Sequence, residues 1–216
     1  MRTTLLTILG LFLAAYVYGL TLPRSTVVEK SSETRADPAR LYELVGDLAR
    51  WPEWSPAFRE TDEFDVDVRP GERTTGVGAN CKVLFGRRSE SGTKFEFAAL
   101  FLVAEDDPKH GVTLEVRLGT PDTDLIGGEG TRAWESIRWE PAADGGTKVT
   151  WKRTGEDMDQ PLLRLVDRFA MASRVEEQVV AGLDALVEAA ESPSKPAGRS
   201  DDLAPAPIGA AVHDGE

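Results

Sequence analysis

Hydrophobic and polar residues alternate along much of the middle of the chain. The alternating stretches are residues 77–85, 94–103, 113–118 and 147–153. In the last stretch, Val149 and Trp151 alternate with Lys148 and Lys152. A period of two is typical of antiparallel strands that have one face in the core. Residues 134–139 are apolar on both faces, and we also predict a strand there.

Two other stretches have apolar residues at helical spacing. Asp37 and Pro38 supply an N-cap and a first-turn proline, and Leu41 and Leu44 follow at intervals of three or four, which predicts a short helix. The longest helical pattern covers residues 160–190 and predicts a helix of about 45 Å at 1.5 Å per residue. Its apolar stripe needs an apolar surface of similar length, and the sheet is the candidate.

The order of elements predicts an α+β fold. A first strand and short helices come before the antiparallel strands, and the long helix comes last. We expect a domain over residues 25–191 in which a curved antiparallel β-sheet wraps around the long C-terminal α-helix. An N-terminal hydrophobic helix precedes this domain, and residues 192–216, which lack aromatic residues and any apolar period, predict a disordered tail.

The N-terminal segment is uncharged over residues 3–23 and is flanked by Arg2 and Arg24. A helix that spans a bilayer needs about 20 such residues. We therefore predict a single-pass membrane anchor within residues 1–24, with a cleaved signal peptide or a buried helix as the alternatives. Positive charge does not decide its orientation, but the position near the N-terminus favours a domain outside the cytoplasm.

Composition and charge exclude several classes of function. The formal net charge of -12 argues against nucleic-acid binding, which normally uses a basic surface. The single cysteine, Cys81, excludes an intrachain disulfide and a cysteine-based zinc site, and its surroundings do not suggest a nucleophilic pair with His110. The acidic residues 60–67 lack the glycine and the ligand spacing of a calcium loop. We expect neither a metal nor a cofactor.

Several motifs resemble those of a known superfamily. They are Ala36-Asp-Pro-Ala-Arg-Leu-Tyr-Glu-Leu-Val-Gly-Asp47, Arg50-Trp-Pro-Glu-Trp-Ser-Pro56, Gly76-Val-Gly78, Gly146-Thr-Lys-Val-Thr-Trp151 and the closing helix with Gly182 and Leu183. On these residues the domain resembles the START-like, or SRPBCC, superfamily of helix-grip domains, often labelled polyketide cyclase/dehydrase. A membrane anchor ahead of such a domain is familiar in bacterial members.

The resemblance implies a deep cavity between the sheet and the long helix. Members of the superfamily bind lipids, sterols, polyketides, hormones and other apolar ligands, and some catalyse cyclisation or dehydration. No catalytic residue of the family can be carried over, because residues 89–130 are hard to align and residues 120–130 look like an ordinary mobile loop.

The strand positions that we expect to face this cavity are almost all apolar, with Phe95 and Phe97 on the same inward face. The expected cavity wall consists of Phe85, Phe97, Phe101, Val116, Trp139, Trp151 and Phe169. Arg153 shares the phase of Trp151 and can reach the cavity mouth, although a strand-end arginine is more commonly solvated or paired. Trp51 is expected to close the base of the helix–sheet layer together with its neighbour Trp54.

The leading hypothesis is a membrane-anchored binding protein for an apolar small molecule or lipid, since the expected inward face lacks ionisable groups. A cyclase or dehydratase is the first alternative, and it requires a buried Asp, Glu, His or Arg that points into the cavity. A protein-interaction or stress-response module with a closed cavity is the second alternative.

Overall fold

The structure is a computed structural model that describes residues 2–61, 64–89 and 92–192. Within these ranges, seven strands form one antiparallel sheet in the order β1-β7-β6-β5-β4-β3-β2. The strands are β1 (Val27–Thr34), β2 (Phe64–Pro70), β3 (Asn80–Ser89), β4 (Gly92–Asp107), β5 (Gly111–Gly119), β6 (Thr131–Pro141) and β7 (Thr147–Gly155). Consecutive strands from β2 to β7 are neighbours, and β1 joins the edge beside β7.

The helices lie at the two ends of the chain and between β1 and β2. They are α1 (Arg2–Thr21), α2 (Pro38–Val45), α3 (Trp51–Trp54), α4 (Pro161–Val166) and α5 (Ala172–Glu191). Short 3₁₀ turns flank α3 at Leu48–Arg50 and Pro56–Phe58. Helix α5 packs against β1 and β7, and α2 and α3 also contact it. The predicted α+β helix-grip architecture of the domain is confirmed.

The predicted long helix is divided by a π-helical turn at Asp167–Met171, which separates α4 from α5. A π turn holds more residues than an α-helical turn, so the apolar stripe before it is rotated relative to the stripe after it. Val179, Leu183 and Leu186 of α5 are buried in the core, whereas Val166 is exposed. The part of the stripe that precedes α5 therefore does not cover the sheet.

The two tryptophans of α3 lie in the core. The indole Nε1 of Trp51 donates to the carbonyl of Val45 at 3.0 Å, and Nε1 of Trp54 donates to that of Leu44 at 3.0 Å. Both side chains are fully buried, and their donors are satisfied by the last turn of α2. The burial predicted for this pair is confirmed, and the two side chains connect α2 to the sheet.

A register shift changes the faces of β4. The pairing of β3 with β4 slips between Phe85 and Gly86, so that Phe85 pairs with Phe97 but Gly86 pairs with Phe95. Because a one-residue slip reverses the direction of side chains, Phe95 moves to the outer face of the sheet. It packs there against the cluster that contains Leu100. The expectation that Phe95 and Phe97 share the inward face is wrong.

The segment between β5 and β6 folds back over the same outer face. Leu125 at its centre is 1% exposed and packs with Leu84, Ala98 and Leu100. The Arg117 side chain holds the segment to β5, since its Nη1 donates to the carbonyl of Leu125 at 2.8 Å. The segment is therefore a packed cover of the sheet and not the ordinary mobile loop expected from the sequence.

Helix α1 contacts α4, where Gly19 allows the two backbones to come close. A Cβ added at Gly19 would lie 2.3 Å from the carbonyl oxygen of Pro161. Many apolar side chains of α1, such as Leu11 and Phe12, are exposed. In the part of the chain that is described, no helix has the combination of length and hydropathy needed to span a bilayer.

The predicted membrane anchor thus has no support from the structure, and the localisation of the protein stays a prediction from the sequence. The predicted tail, apart from Ser192, lies outside the described residues.

Candidate functional site

A cavity of about 580 Å³ lies between the inner face of the sheet, the start of α5 and the 3₁₀ turn that follows α3. Its volume falls within the range of roughly 300–1,000 Å³ that is usual for small-molecule sites. Strands β4, β6 and β7 supply its wall on the sheet side, and residues from Arg174 to Gly182 supply the helical side.

Aromatic rings form much of the cavity wall. Trp51 is at the centre of this group, because its ring centroid lies 5.4 Å from that of Phe58, 5.8 Å from Phe101 and 6.4 Å from Trp151. The rings are tilted or edge-on to one another, which are the favoured geometries of aromatic pairs. All four residues line the cavity and offer an apolar surface to a ligand.

A carboxyl and a guanidinium interrupt this apolar surface. Glu135 of β6 and Arg153 of β7 are directly paired across the two strands, so their side chains share the inner face. Arg153 Nη1 lies 3.3 Å from Glu135 Oε1, and both residues line the cavity. Glu135 is 4% exposed, so this is a buried ion pair at the wall of an apolar site.

Burial raises the pKa of the Glu135 carboxyl, because the charged form loses its hydration. The positive charge of Arg153 and the nearby indole N–H of Trp151 lower the same pKa, but burial is the larger effect. The indole Nε1 of Trp151 is itself buried and completes no hydrogen bond of normal geometry with any described residue. The carboxyl and the indole N–H are therefore two polar groups side by side in the cavity.

The mouth of the cavity is polar. Arg174, Glu177 and Gln178 from the first turns of α5 line it and are exposed. The site thus has an aromatic interior, one buried acidic group and a rim that solvent can reach.

The structure brings together only some of the residues predicted to form the wall. Phe101 and Trp151 line the cavity. Val116 and Trp139 are buried in the core outside the lining. Phe85 is partly buried against the same core.

The other two predicted wall residues are exposed. Phe97 is 42% exposed in the first half of β4, with its ring 5.8 Å from that of Phe85, and Phe169 is 69% exposed in the π turn. Contact of any of the seven predicted residues with a ligand stays a prediction.

Sequence reasoning missed Glu135. We expected an inward face without ionisable groups, and this is wrong, because Glu135 and Arg153 both line the cavity. The signal was present in the sequence, since Glu135 has the same strand phase as Ile137 and Trp139. Arg153 was placed near the cavity mouth as a solvated or paired charge, and the structure shows it paired.

The other chemically active residues lie elsewhere. Cys81 is buried in the core, whereas His110 lies in the exposed turn between β4 and β5 with its Nδ1 2.8 Å from Asp107 Oδ2. These positions do not form a nucleophilic pair. Across residues 2–61, 64–89 and 92–192, no three side chains of the His, Cys, Asp or Glu type converge as metal ligands.

Comparison with known proteins identifies the family. The sequence profile described as polyketide cyclase/dehydrase and lipid transport matches residues 25–191, the range that the sequence patterns assigned to the domain. The chain belongs to this family. The resemblance to the START-like, or SRPBCC, superfamily is thereby confirmed. Among curated proteins, none is similar enough in sequence to be identified as a relative.

Solved structures show the same fold. Protein CV1439 from Chromobacterium violaceum has a TM-score of 0.53 at 16% identity, over 77% of this chain and 99% of its own. Ara h 8.0201 has a TM-score of 0.51 at 18% identity, over 77% of this chain and 97% of its own. Protein SA2116 from Staphylococcus aureus has a TM-score of 0.51 at 11% identity, over 78% of this chain and 95% of its own. At these identities the likeness shows the fold alone.

Proposed function

We propose that this family member binds an apolar small molecule or lipid in the cavity between the sheet and α5. The observation that carries the proposal is a cavity of about 580 Å³ with Trp51, Phe58, Phe101 and Trp151 in its wall. The description of the family, which names lipid transport beside cyclase and dehydrase, supports the same function.

The size of the cavity sets the expected affinity. A ligand that buries about 300 Å² of apolar surface gains roughly 7 kcal/mol at about 25 cal/mol per Å². Loss of translational and rotational freedom reduces this gain. We therefore expect dissociation constants in the micromolar to millimolar range for apolar ligands without specific polar contacts.

The test is titration of the purified chain with the neutral fluorophore N-phenyl-1-naphthylamine. Ala181 lines the cavity, and an Ala181→Phe substitution would fill part of it. We expect this variant to bind the fluorophore at least about tenfold more weakly than the wild type. The matched control is Val180→Phe, because Val180 is the adjacent residue of α5 and does not line the cavity.

Two results would count against the proposal. One is a wild-type chain that does not bind the fluorophore at all. The other is equal binding by the wild type and both variants, which would place the bound fluorophore outside the cavity. Mass spectrometry of the protein as purified adds an independent test, since a copurified apolar compound should be lost from the Ala181→Phe variant.

A cyclase or dehydratase is the second candidate, and Glu135 is the observation that favours it. Such a reaction needs a group that gives or takes a proton at the bound substrate. A carboxyl with a raised pKa in an apolar cavity holds its proton at a higher pH than a solvated one. A ¹³C NMR titration of the Glu135 carboxyl tests this role. Titration at or below pH 4.5, the ordinary value for glutamate, would remove the candidate acid.

The third hypothesis, an interaction module whose cavity has closed, is disfavoured by the volume of the cavity. Side chains do not fill the space between α5 and the sheet near Trp51 and Trp151.

A further inference from the structure

The polar groups of the cavity suggest which class of ligand it accepts. Trp151 is buried, and its Nε1–H lies beside the Glu135 carboxyl but completes no hydrogen bond of normal geometry with a described residue. Buried N–H groups in folded proteins are rarely left without one. The same indole lies close enough to Glu135 to affect the ionisation of its carboxyl. One small group in the cavity can therefore contact both side chains.

Arg153 already contacts one side of the carboxyl, and its positive charge favours the ionised form of Glu135, which is the form that acts as the acceptor here. Its Nη1 is 3.3 Å from Glu135 Oε1, so part of the negative charge is balanced within the protein. A carboxylate has several acceptor positions on its two oxygens, and one guanidinium contact does not use all of them. Glu135 thus keeps acceptor capacity on a side chain that is almost fully removed from solvent.

We infer that the ligand carries an alcohol or phenol hydroxyl at its buried end, which accepts a hydrogen bond from Trp151 Nε1–H and donates one to Glu135. This inference rests on the proposed function, since it names the ligand class of the same cavity. A hydroxyl is both donor and acceptor, so it satisfies both groups at once. The rest of the ligand is apolar and contacts Trp51, Phe58 and Phe101.

Other polar groups fit the site less well. An ether or ketone can accept from Trp151 but cannot donate to Glu135. A ligand carboxylate would lie beside the Glu135 carboxylate, and two like charges in an apolar site repel strongly. The cavity therefore selects a neutral hydroxyl compound over its methyl ether and over the matching carboxylate.

The experiment compares four ligands that share one ring system, which are 2-naphthol, 2-methoxynaphthalene, naphthalene and 2-naphthoate. Their dissociation constants are measured by calorimetry with the full chain. We expect 2-naphthol to bind at least about tenfold more tightly than 2-methoxynaphthalene, because a hydrogen bond to a charged acceptor is lost in the ether. We expect 2-naphthoate to bind more weakly than naphthalene.

Variants assign the preference to the named residues. Trp151→Phe removes the indole donor, and Glu135→Gln removes the charge of the acceptor. Each should reduce the preference for 2-naphthol over its ether to roughly threefold or less. Trp139→Phe is the matched control, since Trp139 also has a buried Nε1 without a partner among the described residues but lies outside the cavity. It should keep the wild-type preference.

The outcomes separate this inference from the proposed function. If none of the four compounds binds, both are overturned. If naphthalene binds but 2-naphthol and its ether bind equally, the cavity binds apolar ligands and the inference about the hydroxyl is overturned. The same holds if Trp139→Phe loses the preference while Trp151→Phe keeps it. The wild-type comparison needs no variant, so the test stands even if a substitution prevents folding.

Discussion

Gly182 of α5 leaves the space that the indole ring of Trp151 occupies. A Cβ added at Gly182 would lie 2.6 Å from Cζ3 and 2.9 Å from Cη2 of Trp151, well inside normal contact distance. The missing side chain allows the helix to approach β7 closely enough to hold this ring against the cavity. The absence of a side chain at Gly182 thus allows the Trp151 ring of β7 to form part of the cavity wall.

A Gly182→Ala substitution should destabilise the protein. Alanine gains up to about 1 kcal/mol over glycine within a helix. The new methyl, however, meets a rigid ring in the core, and such overpacking costs about 1–3 kcal/mol. We expect a net loss of about 1–2 kcal/mol in the free energy of unfolding, measured by urea denaturation. Weaker binding of N-phenyl-1-naphthylamine should accompany it, since Trp151 has to move.

Gly10→Ala is the matched control for this prediction. Gly10 is also helical, and a Cβ there meets nothing within 4 Å. The free energy of unfolding of this variant should equal or exceed that of the wild type. Equal stability losses in the two variants would show that the contact with Trp151 is not the cause.

Glu135 should make stability depend on pH in a defined direction. Its folded pKa is raised above the ordinary 4.5, so the folded state binds the proton more tightly than the unfolded state. Between these two pKa values, the contribution of Glu135 to the free energy of unfolding falls as the pH rises, and it is constant above the folded pKa.

The measurement is urea unfolding of the wild type and of Glu135→Gln from pH 4 to pH 8. The free energy of unfolding of the wild type, relative to that of the variant, should decrease as the pH rises from about 4.5. Other titrating groups cancel in this difference. A difference that is flat or that increases with pH would contradict the raised pKa.

Cys81 should be unreactive in the folded protein. Burial raises the pKa of its thiol to about 11, although a hydrogen bond with the backbone of Arg69 opposes the shift. The thiolate is the reactive form, so its fraction at pH 8 is lower than in an unfolded chain by about 100-fold or more. Labelling with Ellman's reagent should be slower in buffer than in urea by at least that factor. Rapid labelling of the folded chain would mean that this part of the core opens readily.

The packed segment between β5 and β6 offers a test with two adjacent residues. Leu125→Ala should lower the free energy of unfolding by about 2–3 kcal/mol, because the lost side chain leaves a gap under the segment. Ile126 is 73% exposed, and Ile126→Ala should change the same quantity by no more than about 0.5 kcal/mol. Urea denaturation of both variants provides the comparison. Equal effects would show that Leu125 does not hold the segment on the sheet.

Local patterns in the sequence determined the elements of the fold. Alternation predicted the strands, and spacing of three or four predicted α2 and α5. Asp37 was predicted as the N-cap of α2, and its Oδ1 accepts from the backbone N–H of Ala39 at 2.9 Å. Trp51 and Trp54 were predicted to pack in the interior, and both are buried in the structure. These features depend on neighbours within a few positions of the chain, so the sequence shows them directly.

Tertiary structure alone decided the cavity and its chemistry. The slip between Phe85 and Gly86 moved Phe95 to the outer face, and the π turn left Phe169 exposed. The ion pair of Glu135 with Arg153 needs β6 and β7 in one particular register. Such contacts join residues far apart in sequence, and a one-residue shift in pairing reverses which side chains meet. The type of fold is thus readable from local spacing, whereas the polar groups that face a ligand are set by strand register and helix geometry.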